Sequence, residues 1–76
     1  MGLNDYLVEF CKKHGFTGTL SMNDDTNEYI IRIEGDLECN ESTLLKDEYE
    51  SITESQIKEL FDLMKKGIEV RTRERK

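Results

Sequence analysis

Cys11, Cys39 and the single histidine, His14, are the residues best suited to metal or nucleophilic chemistry in this sequence of 76 residues. Zinc favours thiolate and imidazole ligands, and the spacing Cys11-x-x-His14 suits one half of a tetrahedral site. A structural site takes four ligands, and the sequence has no second clustered pair to complete it. A nucleophilic thiol needs a base within hydrogen-bond reach and a third group that orients the base. His14 lies one helical turn beyond Cys11, but no orienting group or oxyanion loop accompanies the pair. Cys11 therefore reads as a small apolar core residue, and His14 as a residue favoured at a helix C-terminus. The run Asn23-Asp24-Asp25-Thr26-Asn27-Glu28 has the acids of a calcium loop without its frame. Counted from Asp24 or Asp25, Tyr29 or Ile30 stands where glycine belongs, and Gly35 or Asp36 where the bidentate glutamate belongs. The run reads as a turn. Paired acids for hydrolysis need a cleft, and so short a chain offers little concavity. The chain is expected not to be an enzyme, with no catalytic residue, no metal ligand and no cofactor.

Charge is the stronger signal. The net charge is −6, yet residues 65–76 carry Lys65, Lys66, Arg71, Arg73, Arg75 and Lys76 against Glu69 and Glu74, so residues 1–64 stand at −10. The densest acidic stretch holds Glu34, Asp36, Glu38, Glu41, Asp47, Glu48, Glu50 and Glu54 against Lys46 alone. Such a surface repels nucleic-acid phosphates and attracts basic protein surfaces. The two cysteines are too few for a disulfide framework, and neither a signal peptide nor a membrane span is read. A reducing, cytoplasmic setting is expected.

The elements that must position these residues follow from apolar periodicity. Leu3, Leu7, Phe10, Cys11 and His14 predict a helix over about 4–14, capped by Asn4 or Asp5 and ended by Gly15. Phe16, Gly18, Leu20 and Met22 alternate with Thr17, Thr19 and Ser21, which predicts a strand. After the turn, Tyr29, Ile31 and Ile33 alternate with Ile30, Arg32 and Glu34 as a second strand. Gly35-Asp36 predicts a tight turn with positive φ at the glycine, and Leu37 to Leu45 a third strand. Residues 46–51 read as a charged loop. Thr53-Glu54-Ser55-Gln56 is a capping box, flanked by Ile52 and Ile57 as a hydrophobic staple. Ile57, Leu60, Phe61 and Met64 form the stripe of a helix that Gly67 should end. The expectation is one small α+β domain over 1–67, followed over 68–76 by a basic tail or short strand. Its order is α-β-β-β-α, with both helices on one face of a three-stranded antiparallel sheet. So small a core is marginal alone, so a partner or a second copy could add stability.

The element order resembles a double-stranded RNA-binding domain. That family docks RNA with a lysine-rich start to its last helix. Thr53-Glu54-Ser55-Gln56 stands there in this chain, so direct nucleic-acid binding is not expected. A more local resemblance runs over residues 4–36, through Asn4-Asp5, Leu20-Ser21, Ile30-Ile31-Arg32-Ile33 and Asp36. It is to small acidic type II anti-CRISPR proteins, phage-encoded inhibitors of an RNA-guided nuclease. What the resemblance implies is an inhibitor, with Asp36 as a contact to arginines that read the protospacer-adjacent motif. The residues themselves suggest a DNA mimic, because carboxylates at strand spacing imitate a phosphate row. The expected function is a small acidic phage or mobile-element inhibitor that binds a basic nucleic-acid-binding protein through Glu34, Asp36, Glu38, Glu41, Asp47, Glu48 and Glu50. The alternative is a structural or adaptor module that forms a homodimer through its sheet or helix face.

Overall fold

The computed structural model describes residues 2–75; of Arg75 only the backbone is described. Leu3–His14 form α1, Thr17–Asn23 β1, Glu28–Glu34 β2, Cys39–Leu45 β3, Lys46–Ser51 α2 and Glu54–Arg75 α3. The strands make an antiparallel sheet in the order β1-β2-β3. The α+β reading holds, with one helix more than expected.

Register places every strand residue on one of two faces, since directly opposed residues share a face. Ile31 pairs with Leu20 and Ser42, and Ile33 with Gly18 and Asn40. Both isoleucines are fully buried, so this is the face the helices cover. Leu3, Leu7 and Cys11 from α1, and Ile57, Phe61, Met64 and Ile68 from α3, complete the core. Each buried leucine, isoleucine, phenylalanine and methionine contributes on the order of 1.5–3 kcal/mol by leaving water. The opposite face carries Thr19 beside Arg32 and Glu41, and Ser21 beside Ile30 and Thr43. Among the described residues, no element covers it.

Close approach, and not turn geometry, explains three of the glycines. A Cβ on Gly18 would lie 2.7 Å from Cys11 Sγ and 2.9 Å from Leu7 Cγ, so α1 rests directly on the backbone of β1. Gly35 does not have the positive φ that its turn position suggested. A Cβ there would meet Phe16 Cε1 at 3.3 Å and Ile68 Cγ2 at 3.4 Å. Left-handed backbone occurs instead at Gly15, which ends α1, and at Asn27 in the first hairpin.

Three sequence expectations change. The N-cap of α1 is Gly2, whose N–H donates to Asp5 Oδ2 at 3.2 Å. Residues 46–51 are a helix and not a loop: the Glu48 carboxylate accepts the Leu45 N–H at 3.1 Å, and Tyr49 stacks on Tyr29 with ring centroids 3.8 Å apart. Most of the expected tail is helix, because α3 continues through Gly67 to Arg75; Lys76 and Met1 lie outside the described residues. Gly67 does not stop the helix; it makes room for β3. A Cβ on it would lie 2.8 Å from Asn40 Nδ2, which donates to Met64 O at 3.2 Å. Ile68 then extends the apolar stripe by a turn, and Arg71 ties the helix to the sheet by donating to Cys39 O at 2.7 Å. The capping box is present as read: Gln56 N–H donates to Thr53 Oγ1 at 3.2 Å and Thr53 N–H to Gln56 Oε1 at 2.9 Å.

Candidate acidic interaction face

The fold sorts charge by layer. Residues 17–45, the sheet and its turns, hold Asp24, Asp25, Glu28, Glu34, Asp36, Glu38 and Glu41 against Arg32 alone, a net charge of −6. The three helices together hold ten acids and nine bases. The linear segregation of charge thus becomes an acidic sheet layer, turns included, beside a nearly neutral helical layer. Strands are 7 residues each and the molecule is only 16 Å in its thinnest dimension, so the two sides are close but face apart.

The acidic residues read from the sequence do not all gather. Glu34 and Glu41 lie on the uncovered face, held on either side of Arg32, which donates through Nε to Glu34 at 2.7 Å and through Nη1 to Glu41 at 2.5 Å. These two carboxylates raise the Arg32 pKa further above its already high value, hydrogen bonds contributing first. Asp36 and Glu38 belong to the β2–β3 turn, which the Gly35 N–H closes by donating to Glu38 O at 2.8 Å. Because of that turn, Glu34, Asp36 and Glu38 do not form the straight phosphate-like row expected from their spacing. Asp36 is exposed and borders a hollow of about 440 Å³ with Phe16, Leu37 and Ile68.

Asp47, Glu48 and Glu50 are elsewhere. Their helix α2 stacks Tyr49 on Tyr29, a residue of the covered face, and borders a hollow with Leu44, Ile52 and Leu60. It therefore sits on the helical side, a strand's length, about 20 Å, from the β2–β3 turn. Glu48 is occupied as the cap of that helix.

Sequence reasoning passed over Glu28, Asp24, Asp25 and Arg32 as site residues. Glu28 shares the uncovered face with Arg32 and Glu34, and Asp24 and Asp25 form the exposed hairpin tip. The period-two alternation of β2 already put Glu28 in line with Glu34. Among the described residues, no base pairs with Asp24, Asp25, Glu28 or Asp36.

Metal and thiol chemistry gain nothing from the fold. Among the described residues no cluster of three ligand-type side chains occurs. Cys11 is buried under α1, and burial raises its thiol pKa. Cys39 lies on the uncovered face, away from His14, which packs on Phe10 at 4.5 Å. No described helix is long and apolar enough to cross a membrane. No protein family, curated protein or solved structure matches the chain.

Proposed function

We propose that this protein is a small inhibitor of phage or mobile-element type that acts by binding, not catalysis. Its acidic sheet side occupies a basic, nucleic-acid-binding surface of another protein inside the cell. The observation that carries this reading is that the sheet layer with its turns holds a net charge of −6, while the three helices are nearly neutral. Exposed carboxylates there meet arginine forks and lysine ammonium groups without burying an unpaired charge. Arg32 holds Glu34 and Glu41 in place, so the free contacts are Asp24, Asp25, Glu28 and Asp36.

Charge reversal tests this side against the other. The triple variant Asp25→Lys, Glu28→Lys, Asp36→Lys should no longer capture nucleic-acid-binding proteins from a bacterial lysate. The variant Asp47→Lys, Glu50→Lys, altered on the helical side, should capture them as the parent does. Duplex DNA in excess should release the captured protein, as should about 1 M salt, where the Debye length is about 3 Å. Capture that ignores both DNA and the sheet-side reversals would overturn the reading.

The homodimer alternative makes a separate prediction. Two sheet layers of −6, turns included, repel each other, so self-association through the sheet is disfavoured. Light scattering at high micromolar concentration should return the mass of one chain.

A further inference from the structure

The free edge of β1 is an open hydrogen-bonding template, and the ladder shows which groups it offers. Gly35 N–H donates to Glu38 O and Lys46 N–H to Asn27 O. In the β2–β3 register these bonds mark the closely bonded pairs, so Tyr29, Ile31 and Ile33 turn their backbone groups toward β3. Glu28, Ile30, Arg32 and Glu34 must then turn theirs toward β1, where they meet Asn23, Ser21, Thr19 and Thr17. The N–H and C=O groups of Gly18, Leu20 and Met22 are left pointing outward. Among the described residues, no side chain or loop bonds to them.

Edges of this kind are ordinarily blunted by charge, proline or a bulge. The other edge, β3, carries Glu41 and has its Cys39 carbonyl taken by Arg71. Strand β1 is Thr-Gly-Thr-Leu-Ser-Met-Asn, with no charge, no proline and an unbroken register. An apolar ledge lies beside it. Tyr6, Phe10 and Lys13 mark the flank of α1 that meets α3, so Val8 projects from the opposite flank, above the β1 edge. Val8 is 58% exposed, and Met22, on the helix face of β1, is 41% exposed.

Resting on the basic-partner reading, we infer that this edge receives an extended basic segment of the partner as a fourth strand. The occupant would alternate, with apolar residues facing Val8 and Met22 and lysine or arginine facing the uncovered side. On that side β1 presents only Thr17, Thr19, Ser21 and Asn23, short enough to reach across. Glu28 on β2 stands two strand spacings away, about 10 Å, within the combined reach of a basic and an acidic side chain. A second copy does not fit the same edge. Paired strands lie about 4.8 Å apart, whereas packed helices need about 8–10 Å. Helix α1 rests directly on β1, so the α1 of a second copy would collide with it.

The test uses a short peptide of strictly alternating lysine and valine, with amide hydrogen exchange read residue by residue. In the free protein the amides of Thr19 and Ser21 should be protected, and those of Gly18, Leu20 and Met22 should exchange fast. The peptide should slow these three selectively. Met22→Pro removes an outward N–H without touching the β1–β2 ladder, and should weaken binding at least tenfold. Should that variant unfold, exchange in the parent protein decides the matter. A peptide with the same residues in two blocks, or with glutamate for lysine, should not protect the three amides. Equal protection by either control overturns the inference, as does binding of the alternating peptide without it. So does protection of the three amides without any peptide, accompanied by the mass of a dimer. In each of those cases sheet-side capture by charge can still stand. If neither lysine peptide binds at low salt, the basic-partner reading falls as well.

Discussion

Cys11 sits where α1 comes closest to the sheet, its sulfur facing the one residue of β1 that has no side chain. Burial there disfavours the thiolate and lifts the thiol above its usual pKa of about 8.5. A group whose pKa rises on folding holds its proton more tightly in the native state. Its stabilising contribution is complete below the unfolded value and is lost as pH climbs through the folded one. Urea midpoints of the native protein should therefore fall more steeply than those of Cys11→Ala as pH rises above the ordinary thiol pKa of about 8.5. Equal slopes would mean that the thiol is not desolvated. The sequence made Cys11 legible as a core residue through its helical spacing with Leu3 and Leu7. Gly18 could not be read the same way, because its role depends on which helix lies above it.

Helix α3 shows how an element's end can be misread when a tertiary contact supplies the reason for a glycine. Gly67 in isolation is a helix terminator. In the fold it lies in the middle of a helix of 22 residues, opposite Asn40. Gly67→Ala pits two effects against each other. Alanine favours the helix by up to about 1 kcal/mol. Its Cβ would displace the Asn40 amide and its bond to Met64 O, a neutral hydrogen bond worth about 1 kcal/mol. Alone, the substitution should change the urea midpoint little; in an Asn40→Ala background it should stabilise by up to about 1 kcal/mol. Equal effects in both backgrounds would remove Asn40 from the explanation. The start of the same helix was readable, because the Thr53–Gln56 capping box is closed by bonds within four consecutive residues. Helix α2 was not readable: it has only 6 residues and depends on the stack of Tyr49 on Tyr29 from a distant strand.

For the whole molecule the sheet side is a concentration of like charge that lowers stability through self-repulsion. Raising ionic strength from about 0.01 M to 0.15 M shortens the Debye length from about 30 Å to about 8 Å. The native protein should gain stability over that range, seen as a higher urea midpoint. The variant Asp25→Lys, Glu28→Lys, Asp36→Lys should gain less, since its sheet side is already neutralised. A larger gain in the variant would mean that repulsion is not centred on the sheet.

The sequence by itself determined the α+β order, the three strands, the helix starting after Thr53 and the acidic character of the middle of the chain. Each of these is written in neighbouring residues: alternation along a strand, a capping box, a run of carboxylates. Tertiary structure decided which acids share a side. Strand pairing carried Glu28, Glu34 and Glu41 onto one face with Arg32 between the last two, while the stacking of α2 on the covered face took Asp47, Glu48 and Glu50 away from it. It also decided that β1 would lie at an edge with Gly18, Leu20 and Met22 facing outward, because the order of strands in a sheet is set by pairing between distant segments.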